Sequence, residues 1–206
     1  MSKIKVLIAD DHEVMRMGLA TMLETDPSFR VVGEASDGAE AVAKALELRP
    51  DVVVMDLVMP QMDGSEATAR IKESAPSTKV LLLTTFGTAD GIAHALAAGA
   101  EGALLKSAAS IDILKAVKRI VNGEQVVSEE VREFMLKEPP VPELTERQRI
   151  ILKSMTEGLI NFAIAKRLGI SEDGVKRHAN VIFRKLGVES RAEAVALAFR
   201  KHLLKA

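Results

Sequence analysis

The chain has 206 residues, 48% apolar and 28% charged, an ordinary balance for one large or two smaller globular domains. It has no cysteine, which excludes disulfides, thiolate metal sites and cysteine nucleophiles. Residues 1–143 hold 15 Lys and Arg against 23 Asp and Glu, a net of −8, whereas residues 144–206 hold 13 against 6, a net of +7.

A basic third on an acidic remainder predicts a polyanionic partner for the tail. The aromatics are six Phe, with no Trp or Tyr. That is poor material for stacking on unpaired bases, so double-stranded DNA is the expected polyanion. The opening MSKIKVLIADD turns acidic after a short apolar run, unlike a signal peptide, and no apolar run approaches the roughly 20 residues of a membrane span. A cytoplasmic location without membrane attachment is expected.

In chain order, β-branched and apolar runs at 4–9, 31–35, 51–56, 79–84 and 102–106 alternate with amphipathic stretches near 13–24, 38–49, 64–74, 89–98 and 110–121. The last of these shows the helical period in Ile113, Leu114, Val117, Ile120 and Val121. Strands apolar on both faces, each followed by a helix, specify a parallel sheet covered on both sides. Five such units predict an α/β, doubly wound, five-stranded parallel sheet over residues 1–122. Asn122-Gly123 ends the last helix, and residues 123–143, closing on EPPVPE (138–143), read as a linker. Residues 144–206 read as a small all-α domain of four helical segments.

Ligands of an open α/β sheet bind beyond the carboxyl ends of its strands. The first predicted strand runs into Asp10-Asp11, the third into Asp56, the fourth into Thr84-Thr85 and the fifth into Lys106. Taken singly, each has a bland reading: an aspartate after a strand usually forms a turn or caps a helix, and a lone lysine is usually solvated. Their coincidence at one edge changes the odds. Neighbouring carboxylates call for a hard cation, and a site of few carboxylates suits Mg²⁺. A nucleotide phosphate needs a glycine-rich turn after the first strand, where this chain has ADDHE; nor does any Ser, Cys or His nucleophile system stand out. An aspartate that takes a phosphoryl group, clamped by Mg²⁺ and lysine, fits all these residues. His12 and His94 have no partner at ligand spacing.

The stretches IADDH (8–12), MDLVMPQMDG (55–64), LLTT (82–85) and GAEGALLK (99–106), in this order and separation, resemble the receiver domain of two-component response regulators. The resemblance implies that Asp56 accepts phosphate from a phosphohistidine of a sensor histidine kinase. It implies that Asp11, Asp56 and the Val58 backbone carbonyl hold Mg²⁺, with Asp10 helping through water, and that Thr84 and Lys106 clamp the phosphoryl oxygens. Two positions depart from the pattern. Ala103 stands where Tyr or Phe is usual; Phe86, two residues after Thr84, is either its substitute or a loop residue resting on the fourth helix. Ser107 follows the lysine where proline is usual, so a cis bond kept there is a non-proline one.

In the tail, Thr145 and Gln148 form a capping-box pattern, Gly158 ends that helix, and Leu168-Gly169-Ile170-Ser171 joins a short helix to a longer one. That is a helix-turn-helix. On 172–186, Val175, Ala179, Ile182 and Leu186 form one stripe, while Lys176, Arg177, Asn180 and Arg184 cluster opposite. Such a face suits a recognition helix in the major groove, with Arg177 or Asn180 on base edges and the other cations on phosphate, Lys185 at the flank included. Through LTERQ, AIAKRLGIS, GVKRHANVIFRKLGV and SRAEAV, residues 144–203 resemble the C-terminal domain of the NarL/FixJ (LuxR-type) response regulators. That family implies a four-helix domain binding DNA as a dimer, with contacts from Lys176, Arg177 and Asn180. Gln148, Gly174 and the Asn161-Phe162-Ala163 stretch depart from its usual residues. Leu197 is expected on the outer side of the final helix, either at a dimer contact or as an ordinary single exposed leucine.

The expected function is therefore a phosphorylation-dependent, DNA-binding transcription regulator that dimerises on DNA or on phosphorylation, and not an enzyme. The rivals are a metal-dependent phosphotransferase and an orphan regulator that binds DNA without phosphorylation.

Overall fold

A computed structural model describes residues 3–85, 89–137, 144–200 and 203. The chain forms two compact units, residues 1–139 and 140–206.

The first unit is a parallel sheet in the order β2-β1-β3-β4-β5-β6. Its strands are β1 (Ile4–Ala9), β2 (Phe29–Ala35), β3 (Val52–Asp56), β4 (Lys79–Thr84), β5 (Gly102–Leu105) and β6 (Val126–Val127). Side chains alternate between the two faces of a strand, and the core divides accordingly. Val6, Ile8, Val52, Val54, Leu81 and Leu83 pack beneath α1 (Glu13–Glu24) and α5 (Ser110–Val121). Leu7, Val53, Met55 and Leu82 face the other way, toward α2 (Gly38–Leu48), α3 (Gly64–Ser74) and α4 (Ala89–Ala97). Each fully buried aliphatic side chain contributes roughly 1.5–3 kcal/mol, so both faces of the sheet stabilise the mount of the site.

The sheet has six strands and not the expected five. β6 pairs with β5 through Gly102↔Val126 and Ala103↔Val127, with Val126 N–H donating to the Glu101 carbonyl (2.9 Å) and Ser128 N–H to that of Ala103 (3.0 Å). A two-residue apolar run is too short to register as a strand by periodicity; it pairs because the edge of β5 offers free backbone groups. After it, α6 (Glu129–Lys137) buries Val131 and rests Phe134 and Met135 on the same face as Ala103 and Leu105. Residues 126–137, read from sequence as linker, thus carry a strand and a helix packed on the sheet. The EPPVPE stretch itself lies outside the described residues.

The second unit contains α7 (Glu146–Thr156), α8 (Asn161–Leu168), α9 (Glu172–Leu186) and α10 (Arg191–Arg200). Its core joins Ile151, Leu152, Ile164, Val175, Ile182 and Ala194. The capping box forms: Gln148 N–H donates to Thr145 Oγ1 (3.3 Å) and Thr145 N–H to Gln148 Oε1 (3.0 Å). Gly169 takes φ +63°, a left-handed turn that glycine adopts without steric cost, and this reverses the chain between α8 and α9. Among the described residues, no helix is long and apolar enough to cross a membrane.

Candidate functional site

Parallel register brings the strand ends together. Ala9 stands beside Met55, Asp56 beside Leu83, and Thr84 beside Leu105, so the residues at these positions or just after them meet at one edge. Asp10 and Asp56 are buried, at 1% and 4% exposure. Between them lies the Lys106 ammonium, 2.6 Å from Asp10 Oδ2 and 2.8 Å from Asp56 Oδ2. Asp11 is exposed at the rim, and oxygen or nitrogen atoms of Asp10, Asp11, His12 and Asp56 all lie within 4.8 Å of one another.

Two buried carboxylates sharing one cation are electrostatically unbalanced. Burial raises the Asp56 pKa from its ordinary value, with the Asp10 charge adding to the rise and the Lys106 hydrogen bond opposing it. Burial works against the Lys106 charge too, but bonds to Asp10 and Asp56 outweigh it and its pKa is raised. A further cation is therefore favoured here. The donor set of three carboxylates converging at the mouth of the pocket consists of hard oxygens and fits Mg²⁺. His12 enters this group, contrary to the expectation that it has no partner: its Nδ1 lies 2.6 Å from Asp11 Oδ1. His94 stays apart, its Nδ1 2.9 Å from the Asp90 carbonyl.

Thr84 is fully buried and its hydroxyl donates to the Thr85 carbonyl (2.6 Å). Val58 lies on the exposed loop after β3, and its N–H donates to Asp56 Oδ1 (3.3 Å). That loop is pinned at two glycines. Gly64 N–H donates to the Leu57 carbonyl (3.0 Å), and Gly38 N–H to that of Met62 (3.1 Å). Side chains there would strike backbone: a Cβ on Gly64 would lie 2.1 Å from the Asp56 carbonyl oxygen, and one on Gly38 2.4 Å from that of Met62. Ala103 is completely buried in the core facing α6. Phe86 lies outside the described residues. The Lys106–Ser107 bond is trans, and no described peptide bond is cis.

Sequence reasoning passed over Arg16, whose guanidinium donates to the Asp10 carbonyl (2.9 Å). A lone arginine in an amphipathic helix carries no signal in sequence; only folding aims it back at the loop.

In the second unit α9 behaves as its wheel predicts. Val175, Ala179, Ile182 and Leu186 are buried, while Lys176, Arg177, Asn180 and Arg184 are exposed. Lys176 approaches Asp173 (3.5 Å) and Glu172 (3.9 Å) at the surface. The side chains of Arg177, Asn180 and Arg184 make no hydrogen bond or ion pair among the described residues, which leaves their donors available. Lys185 differs: its ammonium donates to Gln148 Oε1 (3.1 Å), tying α9 to the cap of α7. Gly174 N–H donates to Ser171 Oγ (3.1 Å), so the start of the helix is capped despite the glycine. Leu197 is buried at 8% exposure, not turned outward as expected, because α10 rotates it into the core with Ala194 and Ala198. Among the described residues of α10 the large apolar side chain left exposed is that of Phe199, at 65%.

Comparison with known proteins agrees with this geometry. Residues 6–118 match the response regulator receiver domain family, and residues 142–198 match the luxR family of bacterial regulatory proteins. The chain is 42% identical over 207 residues to the response regulator protein VraR of Staphylococcus aureus (strain NCTC 8325), covering 98% of this chain and 99% of that one. Among solved structures, the response regulator ChrA of a heme-sensing two-component system is 36% identical with a TM-score of 0.60, covering 99% of this chain and 100% of that one. The response regulator RcsB in complex with DNA is 28% identical with a TM-score of 0.67, covering 97% and 99%. With an acidic pocket at the strand ends of one unit and a helix-turn-helix in the other, the chain belongs to the response regulators, as a transcription regulator with a receiver domain and a LuxR-family DNA-binding domain.

Proposed function

We propose that Asp56 is the phosphoacceptor and that its phosphorylation controls dimerisation and DNA binding by the second unit. A carboxylate oxygen of Asp56 attacks the phosphorus of a phosphohistidine on a sensor histidine kinase. A P–O bond forms, the P–N bond breaks, and the imidazole leaves with the electron pair. Asp11, Asp56 and the Val58 carbonyl would hold Mg²⁺, with Asp10 assisting; bound Mg²⁺ would neutralise phosphoryl oxygens during transfer. Lys106 supplies the fixed positive charge beside Asp56, and it can turn from the carboxylate to the incoming phosphoryl group without leaving Asp10. Thr84 must release the Thr85 carbonyl before it can donate to a phosphoryl oxygen, so phosphorylation turns the Thr84 side chain at the end of β4. The single observation carrying this reading is the Lys106 ammonium shared between Asp10 and Asp56.

On DNA, Arg177, Asn180 and Arg184 are the groups free to read bases or phosphates, with Lys176 on phosphate. RcsB has been solved as dimers bound to DNA, and the same mode is proposed for this chain. The test is to incubate the chain with a small phosphodonor and Mg²⁺, weigh it intact and measure duplex binding. A gain of about 80 Da, one phosphoryl group, absent in Asp56→Asn and accompanied by tighter DNA binding, is expected. The buried Ala103 favours one second reading, constitutive DNA binding, which predicts labelling without any change in affinity.

A further inference from the structure

We infer that Arg16 is a positioning residue of the acidic pocket: backed by Glu34, its guanidinium clamps the backbone carbonyl of Asp10 and sets the direction in which Asp10 and Asp11 present their carboxylates. The inference rests on the proposed Mg²⁺-dependent phosphorylation site.

Arg16 stands one turn into α1 with its side chain 16% exposed. It donates from a terminal nitrogen to the Asp10 carbonyl (2.9 Å) and from Nε to Glu34 Oε2 (3.2 Å). Glu34 is held in turn, since Lys44 donates to its backbone carbonyl and pairs with Glu40 (2.7 Å). Helix α1, strand β2 and helix α2 are thereby joined beneath the loop that carries the acidic pair.

The other groups of Asp10 are already committed. Its N–H donates to the Ala35 carbonyl (3.1 Å), Oδ1 accepts from His12 N–H (2.9 Å), and Oδ2 accepts from Lys106. What remains free to rotate is the peptide plane between Asp10 and Asp11, and the oxygen of that plane is the one Arg16 holds. Without the clamp the plane is free to turn, and it carries the Asp11 side chain, with the His12 ring that contacts it (2.6 Å), away from Asp56. Partners of this kind, one step removed from a metal, are commonly worth ten- to a hundredfold in affinity.

A competing physical account has the opposite sign. A guanidinium near a cation site repels the cation, so its removal should tighten Mg²⁺ binding. Glu34 neutralises that charge at contact distance, which leaves the geometric effect dominant. Arg16→Met therefore weakens Mg²⁺ binding.

The test follows the thermal unfolding of the full chain against Mg²⁺ concentration, since a ligand of the folded state stabilises it by RT ln(1 + [Mg²⁺]/Kd), and the Kd fitted to that rise is the Mg²⁺ midpoint compared between variants. Wild type, Arg16→Met, Arg16→Lys, Glu34→Gln and Asp11→Asn are compared, with phosphodonor labelling measured at saturating Mg²⁺. About tenfold more Mg²⁺ is expected for Arg16→Met and about threefold more for Glu34→Gln, with partial recovery in Arg16→Lys. Labelling at saturation stays within about twofold of wild type, because Arg16 does not face the phosphoryl group. A merely structural role would lower the melting temperature without moving the Mg²⁺ midpoint, and that result overturns the inference, as does tighter binding in Arg16→Met. If Arg16→Met does not fold, Glu34→Gln decides: a wild-type midpoint there overturns the inference. Should wild type itself show no Mg²⁺ response and match Asp11→Asn, the reading of the pocket falls, and this inference with it.

Discussion

Gly64→Ala and Gly18→Ala are the same chemical change in two helices, and the structure assigns them opposite signs. Helix propensity favours alanine over glycine by up to about 1 kcal/mol in a helix interior. Gly18 is exposed in mid-α1 with nothing within 4 Å of an added Cβ, so the full gain should appear. At Gly64 the same Cβ would sit 2.1 Å from the Asp56 carbonyl oxygen and 3.0 Å from Leu57 Cα. Real Cβ contacts essentially never fall below 3.0 Å, so β3 or α3 must yield by nearly 1 Å, and both contacts are backbone. Overpacking of this kind costs about 1–3 kcal/mol, and straining the bond from Gly64 N–H to the Leu57 carbonyl adds up to about 1. The propensity gain is smaller in a first turn, so the steric term wins. At roughly 3 °C per kcal/mol for a chain of this size, Gly64→Ala should lower the melting temperature by about 3–9 °C and Gly18→Ala should raise it by about 2–3 °C. Phosphodonor labelling should slow only in Gly64→Ala, because the displaced carbonyl belongs to Asp56. A Gly64→Ala chain as stable as wild type and labelled at the same rate would refute the claim that this glycine fixes the site.

Asp56→Asn should stabilise the chain at pH 7 in a chelating buffer. The Asp56 pKa is raised above its ordinary 3.8, so the folded state keeps that proton longer than the unfolded one and loses stability as pH rises through this window. The gain should shrink as pH falls toward 4, which melting curves of both chains across pH will check. Leu197→Ala should cost about 2–5 kcal/mol, as a core truncation does, seen as early unfolding of the second unit; Phe199→Ala, at an exposed site, should stay within about 0.5 kcal/mol. In duplex titrations Asn180→Ala should cost about 1–3 kcal/mol and relax preference at one base, whereas Lys176→Ala should weaken all sequences alike and reduce the salt slope by about 1. Lys185→Ala should affect binding less than either, since its ammonium is spent on Gln148.

The residues of the pocket were legible because α/β topology leaves little choice. Apolar runs ending in Asp10-Asp11, Asp56, Thr84 and Lys106 can only form strands whose carboxyl ends share an edge, and a period of 3.6 places Val175, Ala179, Ile182 and Leu186 on one buried stripe. Local patterns of this kind need no knowledge of neighbours. Three-dimensional packing decided the rest. The pair Val126–Val127 became a strand only because β5 had an open edge, and Leu197 turned inward because the core of its unit had room on that side. His12 met Asp11, and Arg16 reached back to Asp10, through a loop whose path no spacing specifies. What sequence alone determined is which side chains reach the edge of the sheet and the face of α9. How the pocket is held and which cations are already engaged depend on contacts between segments distant in the chain, and those exist only once the backbone has closed around them.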